Sequence, residues 1–149
     1  MRALAALPWR AVYAFYAVIT FLVLGFAALF ATLVLPGVYR RRAAARATAR
    51  AFLWLAGMPL TVRGLERLAP GQCVVVSNHA SYLDGLVFTA ALPARFSFVI
   101  KREMSAVPLA GLFLRRIGSE FVERFDRNRG AADARRILFF TRRGCCQRP

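Results

Sequence analysis

Acidic side chains are scarce in this chain. Seven Asp and Glu stand against 22 Lys and Arg, a formal net charge of +15. Such an excess calls for an anionic partner, nucleic acid or anionic lipid. Lysine is nearly missing as well: Lys101 is the only one. The charge is therefore almost all arginine, a preference that GC-rich coding explains as readily as function does. Cysteine is rare. Cys73, Cys145 and Cys146 do not make a disulfide framework. Cys73 reads as a small core residue, and all three as unpaired thiols in a reducing compartment. The single histidine, His79, leaves no Cys/His set to complete, so no metal site is expected. There is no internal repeat, no low-complexity linker and no Gly-x-Ser-x-Gly elbow, so Ser77 and Ser81 are not read as hydrolase nucleophiles.

What the chain does have is apolar bulk, at 58% of its residues. That is high for a soluble protein. Because the arginines are scattered through apolar segments and no nucleic-acid motif occurs, lipid is the expected partner and nucleic acid is not. No charge lies between Arg10 and Arg40. Ala11 to Val38 is long enough to cross a bilayer as a tilted helix. Trp9, Tyr13, Tyr16 and Tyr39 occupy interface positions, and Pro36-Gly37 supplies a stop. A signal peptide is the rival reading, but the apolar run is too long and Arg40-Arg41-Arg42 follows it as a stop-transfer flank would. Arginines 40, 41, 42, 46 and 50 outweigh Arg2 and Arg10, which predicts a single-pass protein of the cell membrane with its C-terminal part in the cytoplasm. Three regions follow: a membrane anchor with basic flank (1–42), an amphipathic helix on the membrane surface (43–58) and a cytoplasmic domain (59–149).

In that domain, Pro59 to Gly64 reads as extended and Ala69-Pro70-Gly71 as a turn. Cys73 to Ser77 has the β-branched run of a buried strand. A helix is expected over Ser81–Leu92, a strand over Phe96–Ile100, a helix over Ser105–Ile117, a strand over Glu120–Arg124, a turn at Asn128-Arg129-Gly130 and a helix over Ala131–Arg142. Alternating strands and helices predict an α/β domain.

The chemistry-bearing stretch is Asn78-His79-Ala80-Ser81-Tyr82-Leu83-Asp84. A neutral imidazole can take an alcohol proton near neutral pH, and a carboxylate on its other nitrogen fixes the tautomer. His79 and Asp84 lie five positions apart. On one regular helix that turns them by about 140° from a shared face. They can meet only at a strand-to-helix junction, with His79 in the turn and Asp84 in the first helical turn. Taken alone, such a pair arises easily by chance, with Asp84 merely favoured by the helix dipole. Ser81 reads as a helix cap and Asn78 as support for the turn.

The flanking residues resemble the first signature of the glycerolipid acyltransferases, Asn-His-x-Ser-x-x-Asp. Lys101-Arg102-Glu103, Pro108, Gly111 and Gly118 are similar to that family's later Lys-x-Glu, Pro-x-x-Gly and Gly, and Phe121-Val122-Glu123-Arg124 to its second signature. The likeness runs from about Gly64 to Ala134. It implies transfer of a fatty acyl group from acyl-CoA or acyl carrier protein to a lysophospholipid such as 1-acylglycerol-3-phosphate, without an acyl-enzyme and without a cofactor. It also implies that His79 is the general base and Asp84 its orienting acid. Arg124 would hold the acceptor's phosphate with Lys101 adding charge nearby, a task suited to a guanidinium. Without the resemblance, Arg124 is one more surface arginine. The family's third signature, Phe-Pro-Glu-Gly-Thr, does not occur; Gly144-Cys145-Cys146-Gln147-Arg148-Pro149 stands near where it is expected. An incomplete, C-terminally truncated domain is therefore expected, and a non-catalytic membrane-bound relic is the alternative function. Oligomeric state is not readable.

Overall fold

A computed structural model of the chain describes residues 7–71, 73–78, 81, 83–123, 132, 133 and 135. The uncharged stretch forms α1 (Leu7–Val34), with Pro8 in the first turn, where a missing N–H costs nothing. Its 28 residues extend over about 42 Å at 1.5 Å per residue. The Trp9–Val34 part is long and apolar enough to cross a membrane, by length and composition. The break at Pro36-Gly37 is real, but it is a reversal. Gly37 has φ +77°, and α2 (Val38–Leu55) begins immediately after it. Arg40, Arg41 and Arg42 thus belong to a helix that starts before the expected position 43.

α2 runs back along α1 as an antiparallel hairpin. The Tyr13 hydroxyl donates to the Ala56 carbonyl at 2.7 Å, and the Tyr16 hydroxyl to Leu55 at 3.2 Å. Phe21 meets Phe52 edge to face, with ring centroids 5.4 Å apart. Small residues on α2, Ala45 and Ala49, are buried along its inner side with Phe52 and Leu53. Ala49, Phe52, Leu53, Ala56 and Ala90 form the core cluster, with Leu24, Leu60 and Leu86 packed against it. Arginines of α2 also hold the protein together. Arg42 donates from Nε to the Ile117 carbonyl at 2.7 Å and from Nη2 to Gly118 at 3.1 Å. Arg41 reaches Leu35 at 2.8 Å, and Arg50 reaches Ala90 at 3.3 Å.

Beyond the hairpin, helix and strand are mixed. After a 3-10 turn at Leu65–Arg67 come α3 (Asp84–Ala91), β1 (Val99–Lys101), a 3-10 segment at Arg102–Ala106, α4 (Ala110–Arg116) and β2 (Glu120–Val122). β1 and β2 are parallel, with Val99 opposite Glu120 and Lys101 opposite Val122. A parallel pair needs a crossover, and α4 provides it. Gly111 is required there, because a Cβ would lie 2.5 Å from the Ser105 carbonyl oxygen. Gly118 ends α4 at φ +70°, its N–H bonding to Arg115 and that of Ser119 to Leu114. A Cβ on Gly118 would stand 2.9 Å from the Arg42 guanidinium, so the arginine that caps α4 needs a glycine to reach it.

The strand expected over Cys73–Ser77 is not formed. Residues 73–78 are neither buried nor strand: Val74 is 81% and Val76 88% exposed, and among the described residues the sheet consists of β1 and β2 alone. A β-branched run favours pairing, yet a strand exists only beside a partner edge. The expected turn at 128–130 lies outside the described residues, as does most of the expected helix over 131–142.

Candidate active site

The site is built on the start of α3. Ser81 and Asp84 face each other across the first turn in a reciprocal cap. The Ser81 N–H donates to Asp84 Oδ2 at 2.8 Å, and the Leu83 N–H donates to Ser81 Oγ at 3.2 Å. The Asp84 N–H closes the turn on the Ser81 carbonyl at 3.1 Å. This is the Ser-x-x-acid arrangement that satisfies the open N–H groups of a helix start. It places Asp84 where the dyad argument requires it, in the first helical turn. Ser81 thus stands just ahead of the helix, joined to its first turn by the Asp84 carboxylate and the Leu83 N–H. Asp84 thus carries a structural duty beside the expected orienting one, and a carboxylate's several lone pairs allow both. Asn78 is exposed, with the Ser77 hydroxyl donating to its carbonyl at 3.2 Å. His79 lies outside the described residues.

α3 is held on the hairpin. Ala90 is fully buried in the core cluster, and Leu86 packs beside it. Arg50 donates to the Ala90 carbonyl. The helix that presents Asp84 is therefore braced by α2. The segment leading to it, 73–78, is exposed chain, so the junction is loop to helix and not strand to helix as expected.

The carboxyl ends of the two strands, where parallel α/β sheets place their ligands, carry one other expected residue among those described, Lys101. Lys101 is exposed and ends β1 opposite Val122. Arg124 follows two positions later in sequence and lies outside the described residues. The sequence reading missed what binds these ends together. Arg102 Nη2 donates to Asp133 Oδ2 at 2.8 Å, the Glu123 N–H donates to the same oxygen at 3.1 Å, and Arg102 Nε stands 3.9 Å from Glu123 Oε2. The hydrogen bond that Arg102 donates to Asp133, and then the Asp133 charge, raise the Arg102 pKa above its ordinary value. A raised pKa means that this contribution is complete below the unfolded value and is lost only as pH rises through the folded one, far on the alkaline side. The scarcity of acid was the available signal: in so basic a chain, each Asp or Glu has many cationic suitors.

The Acyltransferase family model matches residues 59–145, more than half of the chain. Among curated proteins, the chain is 29% identical to 1-acyl-sn-glycerol-3-phosphate acyltransferase of Borreliella burgdorferi over 62% of this chain and 38% of that protein. It is 36% identical to the human 1-acyl-sn-glycerol-3-phosphate acyltransferase beta over 50% of this chain and 27% of the relative. For the human alpha enzyme the figures are 40%, 48% and 25%. The matched segments thus span well under half the length of these relatives. No solved structure matches the chain. With the motif residues in family order and the model spanning most of the part beyond the hairpin, this chain belongs to the Acyltransferase family.

Proposed function

We propose that this chain acts in lysophosphatidate acyltransfer, with His79 and Asp84 as the catalytic pair. The observation that carries the reading is Asp84, fixed by Ser81 in the first turn of α3 within Asn78-His79-x-Ser81-x-x-Asp84. The names of its relatives support the substrate class. In the proposed step, His79 removes the proton from the acceptor's free hydroxyl as that oxygen attacks the thioester carbonyl of acyl-CoA or acyl carrier protein. A C–O ester bond forms, the C–S bond breaks, and the departing thiolate takes the proton back from His79. Asp84 holds the imidazole tautomer and stabilises its cation. Arg124 and Lys101 bind the acceptor's phosphate. The test is transfer from labelled acyl-CoA to lysophosphatidate in membranes carrying the chain, its His79→Ala variant or its Asp84→Asn variant. Transfer falling roughly 10²–10⁴-fold in His79→Ala is expected, the usual contribution of a general base. No transfer by the unaltered, membrane-bound chain would favour a non-catalytic member of the family.

The hairpin carries the proposal for membrane seating. α1 exposes Trp9, Val12, Phe15, Val18, Phe26 and Phe30, and the end of α2 adds Trp54, 73% exposed. If α1 crossed a bilayer with the hairpin intact, α2 would carry Arg46 and Arg50 into hydrocarbon beside it. Each would cost about 2.5–3.5 kcal/mol on insertion scales. The single crossing with a cytoplasmic domain, expected from charge bias, therefore requires the hairpin to open at Pro36-Gly37. An intact hairpin instead lies along one leaflet, its apolar outer face down. Sidedness in sealed vesicles decides: Trp9 and Trp54 reached alike by an outside quencher support the in-plane seat, and Trp9 protected while Trp54 is reached supports the crossing.

A further inference from the structure

The end of α2 leaves a groove beside it. Gly57 turns the chain at φ +69°, its N–H bonding to the Trp54 carbonyl at 3.0 Å and that of Met58 to Leu53 at 2.8 Å. These bonds close the last carbonyls of the helix and turn the chain off its axis. Pro59 and Leu60 then come beside Arg50, Ala51 and Trp54, and these five residues line a groove of about 350 Å³. That is the size of a small-ligand site. Its walls are mostly apolar: Leu60 packs against the core cluster, while Pro59 and the Trp54 indole are exposed. Arg50 adds the charge. Among the described residues its guanidinium makes one hydrogen bond, from Nη1 to the Ala90 carbonyl at 3.3 Å. A guanidinium has five N–H donors, so others remain for a further acceptor. No Asp or Glu precedes Glu66 in sequence, so neither helix of the hairpin offers Arg50 a carboxylate. The same end of the hairpin collects aromatic side chains: Tyr13 and Tyr16, bonded to Ala56 and Leu55, are half exposed. Amphipathic aromatics sit at the headgroup level of a bilayer, where anionic lipid attracts arginine.

We propose that this groove binds one anionic phospholipid of the surrounding membrane, its phosphate on Arg50 and the upper part of an acyl chain against Trp54, Pro59 and Leu60. The proposal rests on the in-plane seat of the hairpin described above. The groove meets α3 at Ala90, near the opposite end from Asp84. Because one guanidinium serves both the headgroup and the Ala90 carbonyl, the bound lipid braces the helix that carries Asp84.

The chain has two tryptophans, so Trp9→Phe leaves Trp54 as the sole reporter in the groove. This full-length chain is placed in phosphatidylcholine vesicles with rising fractions of phosphatidylglycerol, or of phosphatidylcholine, brominated on the acyl chains. Brominated phosphatidylglycerol is expected to quench Trp54 at a fraction roughly tenfold lower, the scale of one charge-assisted hydrogen bond. Arg50→Gln is expected to abolish that difference and leave quenching by phosphatidylcholine unchanged. Arg40→Gln makes the same change of charge at an exposed position outside the groove, and the difference is expected to persist. Should Arg50→Gln fail to fold, Ala51→Phe fills the groove without altering charge and is expected to abolish the difference too. Equal losses from Arg40→Gln and Arg50→Gln overturn the proposal, since they mean diffuse attraction to a strongly basic chain. A preference that survives Arg50→Gln or Ala51→Phe also overturns it. So does displacement by soluble glycerol phosphate, which would make the headgroup alone the occupant. The seat of the hairpin is tested by the same data. If neither brominated lipid quenches Trp54, the in-plane seat and the lipid site both fall. If both quench it alike, the seat stands and only the lipid site falls.

Discussion

The hairpin and the α/β part solve the same backbone problem in opposite ways. α1 and α2 are 28 and 18 residues long and pair their N–H and C=O groups within themselves. They need each other only to bury side chains. The strands β1 and β2 are three residues each, and every ladder bond they make comes from a segment about twenty positions away in sequence. An element that satisfies itself can form wherever its sequence permits, whereas a strand waits for its neighbour. The contrast predicts where substitutions hurt. Phe52, 6% exposed, is the largest side chain of the buried core cluster and meets Phe21. Phe52→Ala is expected to cost about 3–5 kcal/mol, the range for a buried aromatic. Chemical unfolding followed by Trp fluorescence in mild detergent measures it. A loss below about 1 kcal/mol would mean that the two helices do not depend on their contact.

A second test asks how firmly the two regions are joined. Arg42 reaches from α2 to the carbonyls of Ile117 and Gly118 at the end of α4, where carbonyls are left over and cations are favoured. Its neighbour Arg40 is exposed. Arg42→Ala is expected to destabilise by about 1–2 kcal/mol, since several hydrogen bonds from a charged donor are lost. Arg40→Ala stays within about 0.5 kcal/mol. The readout is the unfolding midpoint of both variants, with limited proteolysis near Gly118 showing whether α4 loosens first. Equal effects from the two arginines would remove the distinction between structural and surface charge on α2.

The same contrast explains what could be read from residues. α1 was legible because an uncharged apolar run of this length is too long for a strand and long enough for a membrane-length helix. The approximate positions of β1, α3, α4 and β2 followed from apolar runs closed by Pro93 and Gly118, but α4 begins at Ala110, beyond Pro108, and not at the expected Ser105. At the candidate site a helix start close to Ser81 was legible, whereas the closure of the Asp84 carboxylate on the Ser81 N–H was not foreseen, although a Ser-x-x-acid spacing permits it. The antiparallel return of α2 was not legible, since Pro36-Gly37 signals a break but not its direction. The arginine contacts were also hidden: nothing local in Arg41-Arg42 says that their acceptors lie at residues 116–118. Nor does position in sequence reveal that Asp133 joins Arg102 to Glu123, because that link depends on how two strands and a later segment meet.

Cys73 to Ser77 is where local pattern and long-range pairing part most clearly. Its valines have the composition of a buried strand, yet Val74 and Val76 stand in the open. Burial of one such side chain would contribute about 1.5–3 kcal/mol, and that term vanishes when both states leave it exposed. Val74→Ser and Val76→Ser are therefore expected to shift stability by no more than about 0.5 kcal/mol in this chain. The half-exposed Val75 is the internal comparison, with a somewhat larger cost. Unfolding midpoints for the three variants, in the same detergent, decide the matter. Losses above 1.5 kcal/mol at Val74 and Val76 would show that a partner edge covers this segment in solution. The loop-to-helix junction at Ser81 would then become the strand-to-helix junction that its sequence predicts, and Asn78 and His79 would stand at the end of a paired strand.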